Sequence, residues 1–221
     1  YKRQELGSDF LDEVIISASR RPEKIVDAPA SVSVISARKI ANSSEAIDPI
    51  RHLMNVPGVT VANYTANSMN IEMRSGNGLL GTAVLPLLDY RVISTPAARS
   101  NFSYQYGLSN LDLERIEVIR GTNSALYGPG VEGGVVHFIT KKAIDHPGTS
   151  AELYTGNLSS RGGAVRHAHA NKSKTFGYKI NVKYNEGNDF GLDLVEDAER
   201  ISTFYTTISH PIIKNKIQSN I

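Results

Sequence analysis

The sequence contains no cysteine and no tryptophan. Without cysteine there is no disulfide framework and no Cys-ligated zinc or iron–sulfur centre. The chain is also poor in net charge. Its 24 basic and 22 acidic residues leave a formal charge of +2 over 221 residues. A chain that binds nucleic acid through its phosphates carries a larger basic excess or a basic patch, so nucleic acid is not an expected partner. No stretch reaches the ~18 apolar residues of a transmembrane helix. The most apolar one, residues 79–88, is interrupted by Gly81, Thr82 and Pro86. A transmembrane β-barrel stays open, because its alternating strands give no hydropathy peak. Tyr1 is not an initiator Met and no signal pattern follows it, which suggests a processed chain or a fragment.

What is present has ordinary globular proportions: 40% hydrophobic, 21% charged, 18 Gly and 9 Pro. The texture divides the chain in two. Residues 1–12 are polar and read as a loose arm. Ser31 to Ser36 alternates and reads as a strand, and Ser36 is placed to cap a short helix over Ala37 to Ala41. Residues 46–55 predict a second helix with Ile47, Ile50, Leu53 and Met54 on one face, ended by Pro57-Gly58. Val59–Ala62, Asn70–Arg74, Arg115–Arg120 and Val135–Thr140 read as strands. Residues 75–110 are irregular but rich in aromatics. The first half is therefore an α+β domain, a short mixed sheet with small helices and long loops.

After Pro147-Gly148 the pattern changes. Tyr178, Ile180, Val182 and Tyr184 alternate with Lys179, Asn181 and Lys183. An apolar face with aromatic ends and a polar opposite face is the pattern of a membrane-barrel strand, lipid side out and lumen side in. An ordinary half-buried antiparallel sheet alternates in the same way. Ala151–Asn157, Gly163–Ala170 and Ile201–Ile208 are weaker relatives of this strand. Four strands do not close a membrane barrel, which takes about eight, so the barrel is incomplete in this chain.

Other motifs carry no chemistry. Gly128-Pro129-Gly130-Val131-Glu132-Gly133 fits a dinucleotide-binding pattern, but that motif works only between a strand and a helix, and a strand follows here. The glycines suit tight turns and close backbone approach. His167 and His169 share a strand face without a third ligand nearby. No nucleophile elbow or other catalytic frame is present, so no enzyme, metal site or cofactor is expected.

Several segments together resemble the plug domain of TonB-dependent outer-membrane receptors. They are Asp12-Glu13-Val14-Ile15-Ile16-Ser17-Ala18 with the following Ser19-Arg20-Arg21-Pro22-Glu23-Lys24, then Ala28-Pro29-Ala30-Ser31-Val32-Ser33-Val34-Ile35, then Asn55-Val56-Pro57-Gly58-Val59-Thr60-Val61. The strongest is Leu113-Glu114-Arg115-Ile116-Glu117-Val118-Ile119-Arg120-Gly121, continuing through Ser124-Ala125-Leu126-Tyr127-Gly128 to Gly133-Gly134-Val135-Val136-His137-Phe138-Ile139-Thr140-Lys141. They fall in the family's order over about 130 residues. The resemblance implies an arm over 1–12, a plug over 13–147 and the first antiparallel strands of a transmembrane β-barrel over 148–221. Barrels of this kind have about 22 strands and a plugged lumen.

The resemblance also implies roles. Glu13, Val14, Ile15, Ile16, Ser17 and Ala18 match the TonB box, and an extended β-branched segment suits strand addition to a partner's sheet edge. Arg74 and Arg120 match plug arginines that face barrel glutamates, where a guanidinium binds carboxylate bidentately. Leu88-Asp89-Tyr90 departs from the family's Asp-Gly. Tyrosine takes positive φ only at a cost, so the turn at Asp89 is expected to differ or to give way to a longer excursion. Loops 76–82 and 93–107 are the substrate-side candidates; Asn77, Phe102, Tyr104 and Tyr106 within them, and Tyr90 between them, are the candidate substrate-side residues. The implied partners are TonB with its inner-membrane motor, the chain's own barrel or another outer-membrane pore, membrane lipid, and in some relatives a surface lipoprotein. The implied function is gating of energised uptake of a siderophore, cobalamin, glycan or peptide. The alternatives are a free-standing plug sealing another protein's pore, and a soluble module that buries the Tyr178–Tyr184 face in its own core.

Overall fold

The structure is a computed structural model that describes residues 14–15, 23–24, 31–43, 48–65, 68–74, 83–95, 103, 106–122, 124–128, 131–157, 159–188 and 200–209. Just after the 1–12 arm comes one short pairing, β1 (Val14–Ile15) antiparallel to β2 (Glu23–Lys24). The centre is a five-stranded sheet in the order β3-β8-β9-β6-β7. Its members are β3 (Ser31–Ser36), β6 (Val84–Leu88), β7 (Arg91–Val92), β8 (Leu113–Arg120) and β9 (Gly134–Thr140). All pairs are antiparallel except β6 with β9. The β-branched runs of β8 and β9 occupy the middle, where both faces are covered. A hairpin of β4 (Val59–Thr65) and β5 (Ser68–Met73) packs its buried Ile71 and Met73 into the main core.

Apolar side chains lie on both sides of this sheet. One core gathers Ile35, Ile50, Leu53, Ile71, Ile116, Val118 and Phe138; the other gathers Val34, Leu87, Ile119, Val131 and Val135. The close approach that the glycine-rich 128–134 stretch predicts is real. A Cβ at Gly134 would lie 2.3 Å from the Ile119 carbonyl oxygen.

The helical segments differ from expectation in detail. Helix α1 (Ala37–Ala41) starts after Ser36, but the serine side chain makes no cap hydrogen bond. The second helix is a 3₁₀ turn over Pro49–Asn55, because Asp48 caps it by accepting from the Ile50 N–H at 3.0 Å and Pro49 occupies its first position. A 3₁₀ pitch rotates the faces relative to an α-helix. Ile50 and Leu53 are buried as predicted; Met54 is exposed, and His52 takes an inward place and donates from Nε2 to Asn110 Oδ1. Helix α2 (Ser124–Tyr127) is an addition that the sequence reading did not contain.

From Gly148 the chain forms an antiparallel meander: β10 (Gly148–Thr155), β11 (Arg161–Ala170), β12 (Gly177–Asn188) and β13 (Arg200–Ser209). The strands are long, 8 to 12 residues. Among the described residues no helix is long and apolar enough to cross a membrane. One local contact holds the first hairpin tight: Tyr154 lies over Gly162, where a Cβ would fall 2.5 Å from the tyrosine hydroxyl.

Candidate functional site

The two halves meet along a polar seam. In β12 the inward side chains are Lys179, Asn181 and Lys183, and in β11 the inward Arg166 lies between Ala164 and Ala168; all six are buried. The outward side chains are Leu153, Val165, Ile180 and Tyr184, with Leu153 91% exposed. A soluble sheet docked on a core does the reverse. The module that buries the Tyr178–Tyr184 face in its own core is therefore excluded.

Asp112 is the centre of the seam. It ends a short 3₁₀ turn over Asn110–Asp112, which Ser109 caps by accepting from the Leu111 N–H, and so it sits just before β8. Arg166 Nε donates to its Oδ1 at 2.8 Å, and Lys179 Nζ donates to its Oδ2 at 2.7 Å. All three side chains are almost fully buried. Both cations make further hydrogen bonds. Arg166 Nη1 donates to the His146 carbonyl, and Lys179 Nζ donates to Thr140 Oγ1 and the Lys141 carbonyl. Further along, Lys183 Nζ donates to the Leu108 carbonyl. Buried charges persist only when paired and hydrogen-bonded in this way. The sequence reading missed Asp112, Arg166 and Lys179 as a set. The available signal was the three cations Arg166, Lys179 and Lys183, aimed inward on strands whose other face is apolar.

The network continues into the plug through Thr140. Its Oγ1 donates to Asp89 Oδ2 at 2.6 Å, and its N–H donates to Asp89 Oδ1 at 2.9 Å. Asp89 and Tyr90 form the two-residue turn between β6 and β7, with φ of +44° and +68°. The longer excursion does not replace the turn. The chain keeps the tight turn with tyrosine at the left-handed position, because the Asp89 carboxylate is tied to Thr140 and the Tyr90 N–H donates to His137 Nε2 at 3.1 Å. The Tyr90 ring meets the His137 ring edge-on, with centroids 4.5 Å apart. Since Nε2 accepts, His137 is neutral there, and burial holds its imidazole below the ordinary histidine range. Arg115 Nε donates to the fully buried Glu117 at 2.7 Å. Between this turn and the 141–147 connection lies a cavity of about 600 Å³, lined by Tyr90, Arg115, Lys142 and His146 among others.

The residues predicted from the family resemblance fall in different places. Val14 and Ile15 pair with Lys24 and Glu23; Glu13, Ile16, Ser17 and Ala18 lie outside the described residues, as do Asn77, Phe102 and Tyr104. Arg120 is hydrogen-bonded within the plug. It donates from Nε and Nη2 to Ser31 Oγ, and from Nη1 to Ser33 Oγ and the Pro57 carbonyl. Arg74, at φ +60°, lies close to Gly121, the residue that follows Arg120. Tyr106 is corrected as a contact residue. It is 4% exposed and packs on Phe138 with centroids 6.1 Å apart, so its ring belongs to the core. Burial also raises its phenol above the ordinary range.

Residues 24–135 match the family described as the TonB-dependent Receptor Plug Domain. The chain belongs to the TonB-dependent receptor plug family. The ferric enterobactin receptor PirA of Pseudomonas aeruginosa is 32% identical over 176 residues, 72% of this chain and 22% of that protein. The vitamin B12 transporter BtuB of Vibrio vulnificus is 31% identical over 168 residues, 74% of this chain and 25% of that protein. The pyoverdine outer membrane receptor FpvA of Pseudomonas aeruginosa PAO1 shares the fold, with a TM-score of 0.62 at 20% identity over 82% of this chain and 26% of that one. The chain thus spans about a quarter or less of these relatives. Its architecture is a plug domain followed by antiparallel strands of a barrel that does not close within these residues.

Proposed function

We propose that this chain is the plug and opening wall of an outer-membrane transporter, and that the plug gates energised uptake of a scarce, large nutrient. The observation that carries the proposal is the sense of the four-stranded sheet, with charges turned onto the plug and apolar side chains turned away. That is how a barrel wall relates to a plugged lumen and to lipid. A free-standing plug has no use for four such strands. Relatives are named as receptors for ferric enterobactin, hemin and rhizobactin and as a transporter of vitamin B12, which supports a reading with ferric siderophores as the first cargo to test, then hemin and cobalamin.

In this reading residues 13–18 lie on the periplasmic side and add as a strand to TonB, whose pull rearranges the plug. The seam sets what the pull works against. Asp112 ties the plug to β11 and β12, and Thr140 carries that tie to the Asp89–Tyr90 turn. Substrate and TonB act on the same equilibrium only through differential affinity for its two plug states. Tyr90 then sits at the end where the chain leaves the plug for the wall, beside the 141–147 connection, and is withdrawn from the substrate-side candidates. Asn77, Phe102 and Tyr104 remain in that role. Arg74 and Arg120 remain candidates for the latch to the rest of the barrel. A surface lipoprotein stays an optional partner.

The test is Ile15→Pro in the full-length protein, assayed with ferric enterobactin, hemin and cobalamin in cells. Proline removes a strand N–H that strand addition requires. Surface binding of the preferred cargo persists while energised uptake falls to background. Uptake at the unsubstituted rate refutes the role of residues 13–18.

A further inference from the structure

Between Glu152 and Glu186 the chain has no acidic residue, yet it carries six Lys or Arg and two His. The fold disposes of most of this charge. Arg166, Lys179 and Lys183 are buried against the plug, and Arg161 pairs with Glu186 at the far end of the sheet. Lys172 and Lys174 remain exposed, on the turn between β11 and β12. That turn is built, not loose. Asn171 Oδ1 accepts from the Thr175 and Phe176 N–H groups at 2.9 and 3.0 Å, and its Nδ2 donates to Thr175 Oγ1 at 2.8 Å. Lys174 is held at φ +53°. Beside the turn, on the outward face, the Tyr178 ring lies between His167 and His169, with centroids 6.0 and 5.8 Å away. Phe176 is 44% exposed at the same level, and the apolar Val165 and Ile180 continue the face toward the middle of the sheet.

We infer that the 171–176 turn and the adjoining His167–Tyr178–His169 face bind the headgroup of an anionic phospholipid. This rests on the membrane-wall reading proposed above. Two ammonium groups on a preset turn are complementary to one phosphate, and the aromatic and aliphatic side chains below them receive the acyl chains. At the far end of the sheet, among the described residues, Arg161 is already paired with Glu186. The end that binds is the one where the chain enters the sheet at Gly148, because Gly148 pairs with Ala168 and Ala170 with Gly177. The site thus lies in the leaflet on the plug-connection side.

The test uses the intact outer-membrane protein in mixed lipid–detergent micelles, with retained lipid read by native mass spectrometry. The probes are phosphatidylglycerol, phosphatidylethanolamine and, as free headgroup, glycerol 3-phosphate. The unsubstituted protein retains phosphatidylglycerol in preference to phosphatidylethanolamine. Lys172→Gln with Lys174→Gln weakens that retention by about tenfold, and Lys172→Arg with Lys174→Arg restores it. Equal retention by the glutamine variant overturns the site. So does glycerol 3-phosphate binding as tightly as the lipid, which marks a free-phosphate site. Phospholipid retained without preference for the anionic one overturns this inference and leaves the membrane wall standing. A protein that stays in solution without detergent and retains no phospholipid overturns both.

Discussion

The five-stranded and the four-stranded sheets of this molecule are turned in opposite senses. In the plug, β8 and β9 bury Ile116, Val118, Ile119, Val135 and Phe138. In the four-stranded sheet, β11 and β12 bury Arg166, Lys179, Asn181 and Lys183, and expose Val165, Ile180 and Tyr184. A strand puts successive side chains on opposite faces, so an alternating sequence says only that its two faces differ. It does not say which face is inside. That depends on what lies beyond the outer face: water makes the apolar side the buried one, whereas hydrocarbon lets the apolar side face out and leaves the charges to find partners within. The seam at Asp112 is where the second rule becomes visible, because its three charges are hidden from any solvent by another part of the same chain.

The strongest way to break the contrast is to remove its centre. Asp112→Ala leaves Arg166 and Lys179 buried without a carboxylate, at an expected destabilisation of about 3–5 kcal/mol. Replacing all three together, Asp112→Leu with Arg166→Met and Lys179→Met, recovers most of that loss, since well-packed apolar groups substitute for a buried ion network. Chemical denaturation of the three proteins in detergent measures the order, and limited proteolysis across 141–147 reports whether the plug has come away from the wall. Equal stability of Asp112→Ala and the unsubstituted protein would sink the claim that the clasp holds the halves together.

The next test acts on the outer face. Val165→Arg places a charge where hydrocarbon is expected, costing about 2–4 kcal/mol in a bilayer at mid-depth. At an ordinary water-facing position the same substitution costs about 0.5 kcal/mol or less. Folding into phospholipid vesicles, compared between the two proteins, separates these values by more than a factor of ten in the folding constant. A negligible loss would mean that β11 faces water.

How much of this was legible in the sequence depends on the physics of each element. The strands over 31–36, 113–120 and 134–140 are apolar, β-branched and bounded by turn residues, so short-range pattern finds them. The alternation from 178 to 184 reveals the last sheet, and the ordered motifs from Glu13 to Lys141 point to the family. Local pattern also shows a turn at Asp89 without its type, because what holds Tyr90 at positive φ is Thr140 and His137, about 50 residues away. The clasp was hidden for the same reason. Asp112 meets Arg166 and Lys179 across 54 and 67 residues of chain, and no spacing rule links them. Tyr106 was misread because aromatics in a polar loop are ambiguous until the loop's partner, here Phe138, is known.

A smaller effect tests the polar end of the plug sheet. His137 is buried as neutral imidazole, with burial holding its proton affinity below that of the unfolded chain. The folded state therefore binds fewer protons, and its stabilising contribution is fully present above the unfolded value of about 6.5 and declines as pH falls through that value toward the folded one. Unfolding midpoints between pH 8 and 5 fall on the acid side, and His137→Gln flattens that part of the profile. An unchanged slope in the variant assigns the acid loss to other groups.

The smallest effect concerns the turn itself. Tyr90 sits at φ +68°, where a Cβ costs roughly 1–2 kcal/mol, and its ring recovers part of this against His137. Alanine keeps the Cβ strain and loses the ring. Glycine loses the ring as well but removes the strain, at the expense of about 0.5–1 kcal/mol of unfolded-state entropy. Glycine is thus expected to be the more stable replacement by up to about 1 kcal/mol, the reverse of the usual order inside a strand. Paired denaturation curves of Tyr90→Gly and Tyr90→Ala decide it. If alanine equals or exceeds glycine, the Asp89–Tyr90 turn has left the left-handed region on substitution, and the ties from Asp89 to Thr140 and from Tyr90 to His137 are too weak to hold it there.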